Sequence, residues 1–160
     1  MNSADADLIN AILLNTKQYY PASSPETADI VLFLTCAIRE NAETRIWGRL
    51  GNLQYIRDRG GKIALLGCMA ERLKFKVLEK HVDVICGPDA YRDLPALLAQ
   101  GGGVGNVMLS VDETYADILP VQIDSSRVSA GITIMRGCNN MCTYCIVPFV
   151  RGMFAWYKSL

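Results

Sequence analysis

The sequence has no excess of either charge: sixteen Lys and Arg balance sixteen Asp and Glu. The chain by itself therefore carries no basic footprint of the kind that draws a protein onto nucleic acid, and weak or no nucleic-acid binding is expected of it. Histidine is nearly missing. The one copy, His81, falls between a helix-like and a strand-like stretch, where it reads as a surface residue rather than a base or ligand. Long apolar runs are missing too, since the longest aliphatic-aromatic stretch, Ile30 to Leu34, is far too short to span a bilayer. The chain opens with neither a basic region leading into an apolar one nor an Arg-rich presequence, so no secretory leader or transit peptide is expected. No internal repeat or low-complexity tract is present. Its 160 residues suffice for one domain with a real core, but not for an eight-fold α/β barrel, which takes roughly 200 or more.

What is present is an alternation of apolar strands and amphipathic helices. Asn2 to Gln18 reads as a helix, with Leu8/Ile12 and Ile9/Leu13 paired four apart, Ser3 as its cap, and Asp5 and Asp7 suited to the positive end of its dipole. Tyr20 to Pro25 is a loop by its proline and serine content. Asp29 to Thr35 is a continuous apolar strand of the kind buried on both faces. Ala42, Ile46, Leu50 and Leu53 recur at helical spacing until Gly60-Gly61 stops them. Lys62–Leu66 is the next strand, Ala70–Lys80 the next helix and Val82–Ile85 a third strand. Asp93 is expected to cap a short helix with Pro95 in its first turn. Gly101 to Gly105 resembles a phosphate loop but follows a helix rather than a strand, and reads as a connection. Asn106–Val111 would be the last strand. The class this implies is α/β, an open parallel sheet flanked by helices. Residues 1–111 form that domain, 112–129 are a polar linker, and 130–152 begin a second unit whose first strand, Gly131–Met135, feeds a cysteine loop.

Six cysteines occur, with no leader that would send them to an oxidising compartment, so metal ligation in a reducing one is favoured over disulfides. Cys138, Cys142 and Cys145 make a C-x3-C-x2-C pattern. Three thiolates on one tight loop can hold one face of an iron–sulfur cube, which is usually held by four. The same residues are open to a partial zinc site, which wants four ligands, and to a Cys142–Cys145 redox pair. Cys36 and Cys68 each follow a strand and precede a helix, at the edge where open parallel sheets bind ligands, and a helix N-terminus favours the thiolate. Either could also be a packed core thiol. Cys86 ends a strand as well and reads chiefly as a core residue. Arg39, Glu40 and Glu43 are read equally as functional residues or as a solvated helix start.

Met135-Arg-Gly-Cys-Asn-Asn-Met-Cys-Thr-Tyr-Cys-Ile-Val-Pro-Phe-Val-Arg-Gly152 resembles the cluster loop of the radical S-adenosylmethionine tRNA methylthiotransferases. Thr35-Cys-Ala-Ile-Arg-Glu-Asn-Ala-Glu43, Leu66-Gly-Cys-Met-Ala-Glu-Arg72 and Gly87-Pro-Asp-Ala-Tyr-Arg-Asp-Leu-Pro95 match the family's N-terminal domain in order, and Asp112-Glu-Thr-Tyr-Ala-Asp117 its linker. The likeness is to the branch that makes 2-methylthio-dimethylallyladenosine in tRNA, in its eukaryotic mitochondrial form. It implies a 4Fe-4S cluster on Cys138, Cys142 and Cys145, whose open iron chelates S-adenosylmethionine, with Tyr144 on the adenine side. It also implies a second cluster to which Cys36 and Cys68 contribute. The family cleaves the cofactor to a deoxyadenosyl radical, abstracts hydrogen from carbon 2 of an isopentenylated adenosine, and inserts sulfur and a methyl group there.

The likeness fails at both ends. The family signature Gly-Cys-Gln-Met-Asn enters here only at its Met-Asn, so the third cysteine of the second set and the strand before it are missing. After Gly152 the family's charged Arg-Glu-Arg-Ser-Arg-Pro segment is replaced by the tail 153–160. The chain is therefore expected to be a fragment that does not methylthiolate tRNA alone. Its lone barrel strand leaves a ladder unpaired, so residues 112–160 are expected to be weakly held.

Overall fold

The computed structural model describes residues 2–37, 40–78, 82–110, 115, 117–121, 123, 128–129, 131 and 133–156. His81, Arg39, most of the proposed 112–129 linker and the last four residues of the tail lie outside them, as do the side chains of Glu40 and Glu43.

Helix α1 (Asn2–Asn15) leads into strand β1 (Ile30–Thr35), helices α2 (Glu40–Asn52) and α3 (Gln54–Asp58), strand β2 (Lys62–Gly67) and the short helix α4 (Cys68–Leu73) with one 3-10 turn after it. Strand β3 (Val84–Cys86), helix α5 (Leu94–Gln100) and strand β4 (Val104–Asn106) complete this part. The strands form one sheet in the order β1-β2-β3-β4, every pairing parallel. This is the open parallel α/β sheet read from the alternation of elements.

Because successive strand side chains face opposite ways, each strand feeds two cores. Ile30, Leu32, Leu34, Ala64, Leu66 and Val84 meet the apolar sides of α1 and α5. Phe33, Ile63, Leu65 and Ile85 meet Leu50, Met69 and Val77 from α2, α4 and the turn after it. Covering both faces is what turns β2 and β3 into continuous apolar runs. Strand β1 differs from the expectation of full burial. Ile30 to Leu34 are only half-buried, because β1 is the edge of the sheet and has one neighbour.

Several boundaries also move. Helix α1 ends at Asn15, where Thr16 Oγ1 donates to Leu13 O at 2.7 Å and Lys17 turns left-handed. Since α1 starts at Asn2, Ser3 lies inside it rather than capping it. The helix expected over Ala70–Lys80 divides into α4 and a 3-10 turn, Lys74–Val77. Asp93 makes no side-chain cap; its carboxylate instead accepts from Asn106 Nδ2 at 2.6 Å. The last strand is Val104–Asn106 rather than Asn106–Val111, so part of the glycine-rich run is strand. The side chain of Ile85 occupies the space a side chain at Gly105 would need, and pairing with β3 outweighs the poor strand propensity of glycine.

The segment after the sheet is not loose. Strand β5 (Met135–Arg136) pairs antiparallel with β6 (Ala155–Trp156), and helix α6 (Val147–Arg151) lies between them in sequence. Val150 is buried, and two buried arginines, Arg136 and Arg151, form ion pairs with Asp89 and Asp5 of the first unit. The expectation of a weakly held loop is overturned over residues 133–156, because a second short strand from the tail pairs the first and the arginines anchor both.

Candidate functional site

Parallel strands bring all their carboxyl ends to one edge, and there β1 and β2 finish level, with Thr35 opposite Gly67. The next residues are Cys36 and Cys68. Neighbouring strands run about 4.8 Å apart, so the two thiols stand side by side, and Thr35 Oγ1 locks the strand ends by donating to Leu66 O at 2.7 Å. Cys68 is buried and Cys36 half-buried. Cys86 is opposite Leu66, so it stops two residues short of this edge. Its thiol points to Ala90 O at 3.1 Å, and burial raises its pKa strongly. It is a core cysteine.

Around Cys68 lies a buried polar network. Arg151 Nε donates to Cys68 Sγ at 2.9 Å, and Arg151 Nη2 to Asp5 Oδ2 at 2.6 Å. Burial alone would lower the guanidinium's pKa; the charge and hydrogen bond of Asp5 outweigh it and hold the cation firmly. For Cys68 the balance goes the other way. Burial raises the thiol's pKa, Arg151 draws it back only in part, and Cys36 and Asp5 push it up again. The thiolate expected from a helix N-terminus is therefore not favoured in the protein as it stands, since α4 is barely more than one turn.

Two buried polar atoms have no partner here: Tyr91 Oη and Glu71 Oε2. Tyr91 is 1% exposed and is fixed by its neighbours. Its backbone N–H donates to Tyr115 Oη at 2.8 Å, its ring stacks on Tyr115, and Tyr115 Oη donates on to Pro88 O. A Cβ at Gly67 would lie 3.4 Å from Tyr91 Oη, so that hydroxyl stands over the turn into Cys68. Asp5 and Arg151 act on it electrostatically. Glu71, on α4, is 3% exposed, and burial raises its carboxyl pKa despite Lys74. Asp89, paired with Arg136, also receives Ser110 N–H at 2.8 Å; burial nonetheless leaves its pKa raised.

The second cysteine group lies between β5 and α6. Cys138 N–H donates to Gly152 O at 3.2 Å, and Cys145 N–H to Cys142 O at 3.0 Å, closing a turn. Phe154 N–H donates to Asn139 Oδ1 at 2.8 Å, so the tail fastens the loop. Cys138 and Cys145 are half-buried and Cys142 is exposed, while the Tyr144 ring is 90% exposed. Among the described residues, no three His, Cys, Asp or Glu side chains converge as a metal-holding group. The donor types on the loop suit an iron–sulfur cluster, but this arrangement does not gather them. At the sheet edge two thiols meet one unpartnered buried hydroxyl, a fit to a group with sulfur acceptors that lacks a third thiol. A cavity of about 540 Å³ lies elsewhere, by Tyr19 and Asp29 at the amino end of β1, and carries none of this chemistry.

Sequence reading located both cysteine groups but missed Arg136, Arg151, Asp5, Asp89 and Tyr91 as a network. Asp89 and Tyr91 fall within the Gly87–Pro95 motif, and each arginine precedes a glycine beside the cysteine loop. Those were the available signals, but Arg151 and Asp5 are 146 residues apart, and nothing local pairs them.

A family profile described as "Uncharacterized protein family UPF0004" matches residues 1–87. The chain is 51% identical over 163 aligned residues to the human mitochondrial tRNA methylthiotransferase CDK5RAP1, covering 95% of this chain and 27% of that protein. It is 48% identical over 159 to a CDK5RAP1-like protein of Caenorhabditis elegans, covering 95% and 29%. It is 50% identical over 159 to the tRNA-2-methylthio-N(6)-dimethylallyladenosine synthase of Chloroherpeton thalassium, covering 95% and 35%. The chain thus spans about a quarter to a third of the length of these relatives.

Proposed function

The chain belongs to the UPF0004 family and is a relative of tRNA methylthiotransferases, and from that premise we propose that it supplies the N-terminal and cluster-loop part of such an enzyme. The reaction is conversion of an isopentenylated adenosine in tRNA to its 2-methylthio form. Cys138, Cys142 and Cys145 are the residues that would hold a 4Fe-4S cluster, with S-adenosylmethionine on its open side and Tyr144 beside the adenine. When bound there, the cluster supplies the electron for reductive cleavage of the cofactor. Cys36 and Cys68 are the share of this chain in a second cluster. Tyr144, fully in solvent, is free to close on a cofactor, and Cys138 is held by the Gly152 carbonyl at the loop's base. Substrate tRNA and a mitochondrial setting come with the relatives' names, and no helix among the described residues is long and apolar enough to cross a membrane.

The observation that carries the reading is the contact between the two cysteine groups. Arg151, on the helix that follows Cys145, reaches back to Cys68 Sγ, so one side chain ties the loop to the sheet edge. An isolated iron or zinc module would have no use for such a tie. The test is anaerobic reconstitution of the chain with iron and sulfide, followed by addition of S-adenosylmethionine. Visible absorption that disappears in the Cys138→Ala, Cys142→Ala, Cys145→Ala variant, together with deoxyadenosine release, is expected. Iron uptake indifferent to those three cysteines would overturn the assignment.

A further inference from the structure

A buried hydroxyl without a partner costs the fold about 1–3 kcal/mol, and such groups are uncommon in native structures. Tyr91 Oη is one, in a chain that had cheaper residues for the place. Its ring is fully used in packing, under α1 and against Tyr115, so phenylalanine would fill the same space. The hydroxyl stands over the Gly67–Cys68 turn. The second donor in the same place is Arg151, whose Nε already reaches Cys68 Sγ and whose other arm is held by Asp5. Two donors, one neutral and one cationic, therefore face an edge with two thiols in register.

We propose that Tyr91 and Arg151 are positioning residues that donate hydrogen bonds to the sulfur atoms of an anionic iron–sulfur group held at Cys36 and Cys68. The inference rests on the reading of that edge as a cluster site and goes beyond it by naming what surrounds the sulfurs. Charge-assisted donors to sulfur stabilise the more negative form of a thiolate-held cluster. Arg151 does this while carrying the cysteine loop on the same backbone, so the loop and the edge group are oriented by one residue. Burial, which raises the Cys68 thiol in the empty protein, is what these donors offset once the group is bound. Asp5 acts as the anchor that keeps Arg151 aimed.

The two roles that Tyr91 could have, core tyrosine or donor to a bound group, give opposite signs in one experiment. In the empty chain, Tyr91→Phe removes an unpartnered hydroxyl and is expected to raise Tm by about 2–4 °C. In the chain reconstituted anaerobically with ferrous iron and sulfide, the same variant is expected to lose its edge cluster to a chelator about ten-fold faster than the parent. Arg151→Lys keeps the cation and the Asp5 pair but loses the fork, and is expected to show the same faster loss with little change in Tm. The loop cysteines are replaced by alanine in all these proteins, so only the edge can load. A Tyr91→Phe chain that is less stable when empty, or edge clusters lost at parental rates in both variants, overturns the inference. If the parent itself loads no iron at the edge, or loads it equally after Cys36→Ala and Cys68→Ala, the reading of the edge fails and takes the inference with it.

Discussion

Replacing Arg151 with methionine tests how firmly the cysteine loop is attached to the sheet. The guanidinium and the Asp5 carboxylate are 8% and 12% exposed and 2.6 Å apart, and a second arm of the arginine bonds Cys68 Sγ. Breaking a buried ion pair from one side costs about 3–5 kcal/mol, because the other charge is left in a dry place. Asp5 sits near the rim and can recover some water, so the lower end, about 3 kcal/mol, applies. At about 2–4 °C per kcal/mol for a chain of this size, Tm should fall by about 6–12 °C. Thermal unfolding followed by circular dichroism reads this, and a cycle with Asp5→Asn isolates the pair. The double variant should be less destabilised than the sum of the singles by about 1 kcal/mol or more. A fall within the range of an exposed pair, below about 1 kcal/mol, would mean that α6 is not seated on the first unit.

Glu71→Gln should raise Tm at neutral pH by relieving a buried, half-partnered carboxylate, by about 1 kcal/mol in stability. Burial raises Glu71 above its ordinary value of 4.5, so the folded state holds this proton more tightly than the unfolded chain does. Stability from the group is fully present below pH 4.5 and is lost as pH rises through the raised value. The advantage of Glu71→Gln over the parent should therefore vanish as the pH is lowered to 4.5, and an advantage independent of pH would refute the sign. Gly137→Ala should open the β5–β6 hairpin, since its φ is +72° and a Cβ would lie 2.0 Å from Met153 O. Protease cleavage within 133–156 should then rise sharply while 28–100 stays protected; unchanged cleavage would mean the hairpin does not hold the loop.

The sheet was legible because β2 and β3 are buried on both faces, and such strands announce themselves as unbroken apolar runs. The placing of Cys36 and Cys68 was legible for the same reason, since parallel strands that end level must set their next residues side by side. Strand β4 was not, because Val104-Gly-Asn106 owes its conformation to pairing with β3 and to the room Ile85 takes, neither of which is local. The seating of the cysteine loop was hidden more deeply. Arg151 and Arg136 read as ordinary surface cations, and only the fold brings Asp5 and Asp89 to them. The tail after Gly152, which departs from the family's pattern, had no visible use until β6 paired with β5. Tyr91 lay in a motif that pointed to the family, but an unpartnered hydroxyl is a property of packing.

The most direct measurement puts the chain in its whole context. Residues 1–156 replace the aligned region of the human mitochondrial relative, the chimera is expressed in cells lacking that enzyme, and tRNA nucleosides are read by mass spectrometry. The expected result is 2-methylthio-isopentenyladenosine in the chimera, abolished by Cys138→Ala, Cys142→Ala or Cys145→Ala and strongly reduced by Cys36→Ala or Cys68→Ala. A stably expressed chimera that yields no methylthio product, or one whose product survives loss of the three loop cysteines, would contradict the account.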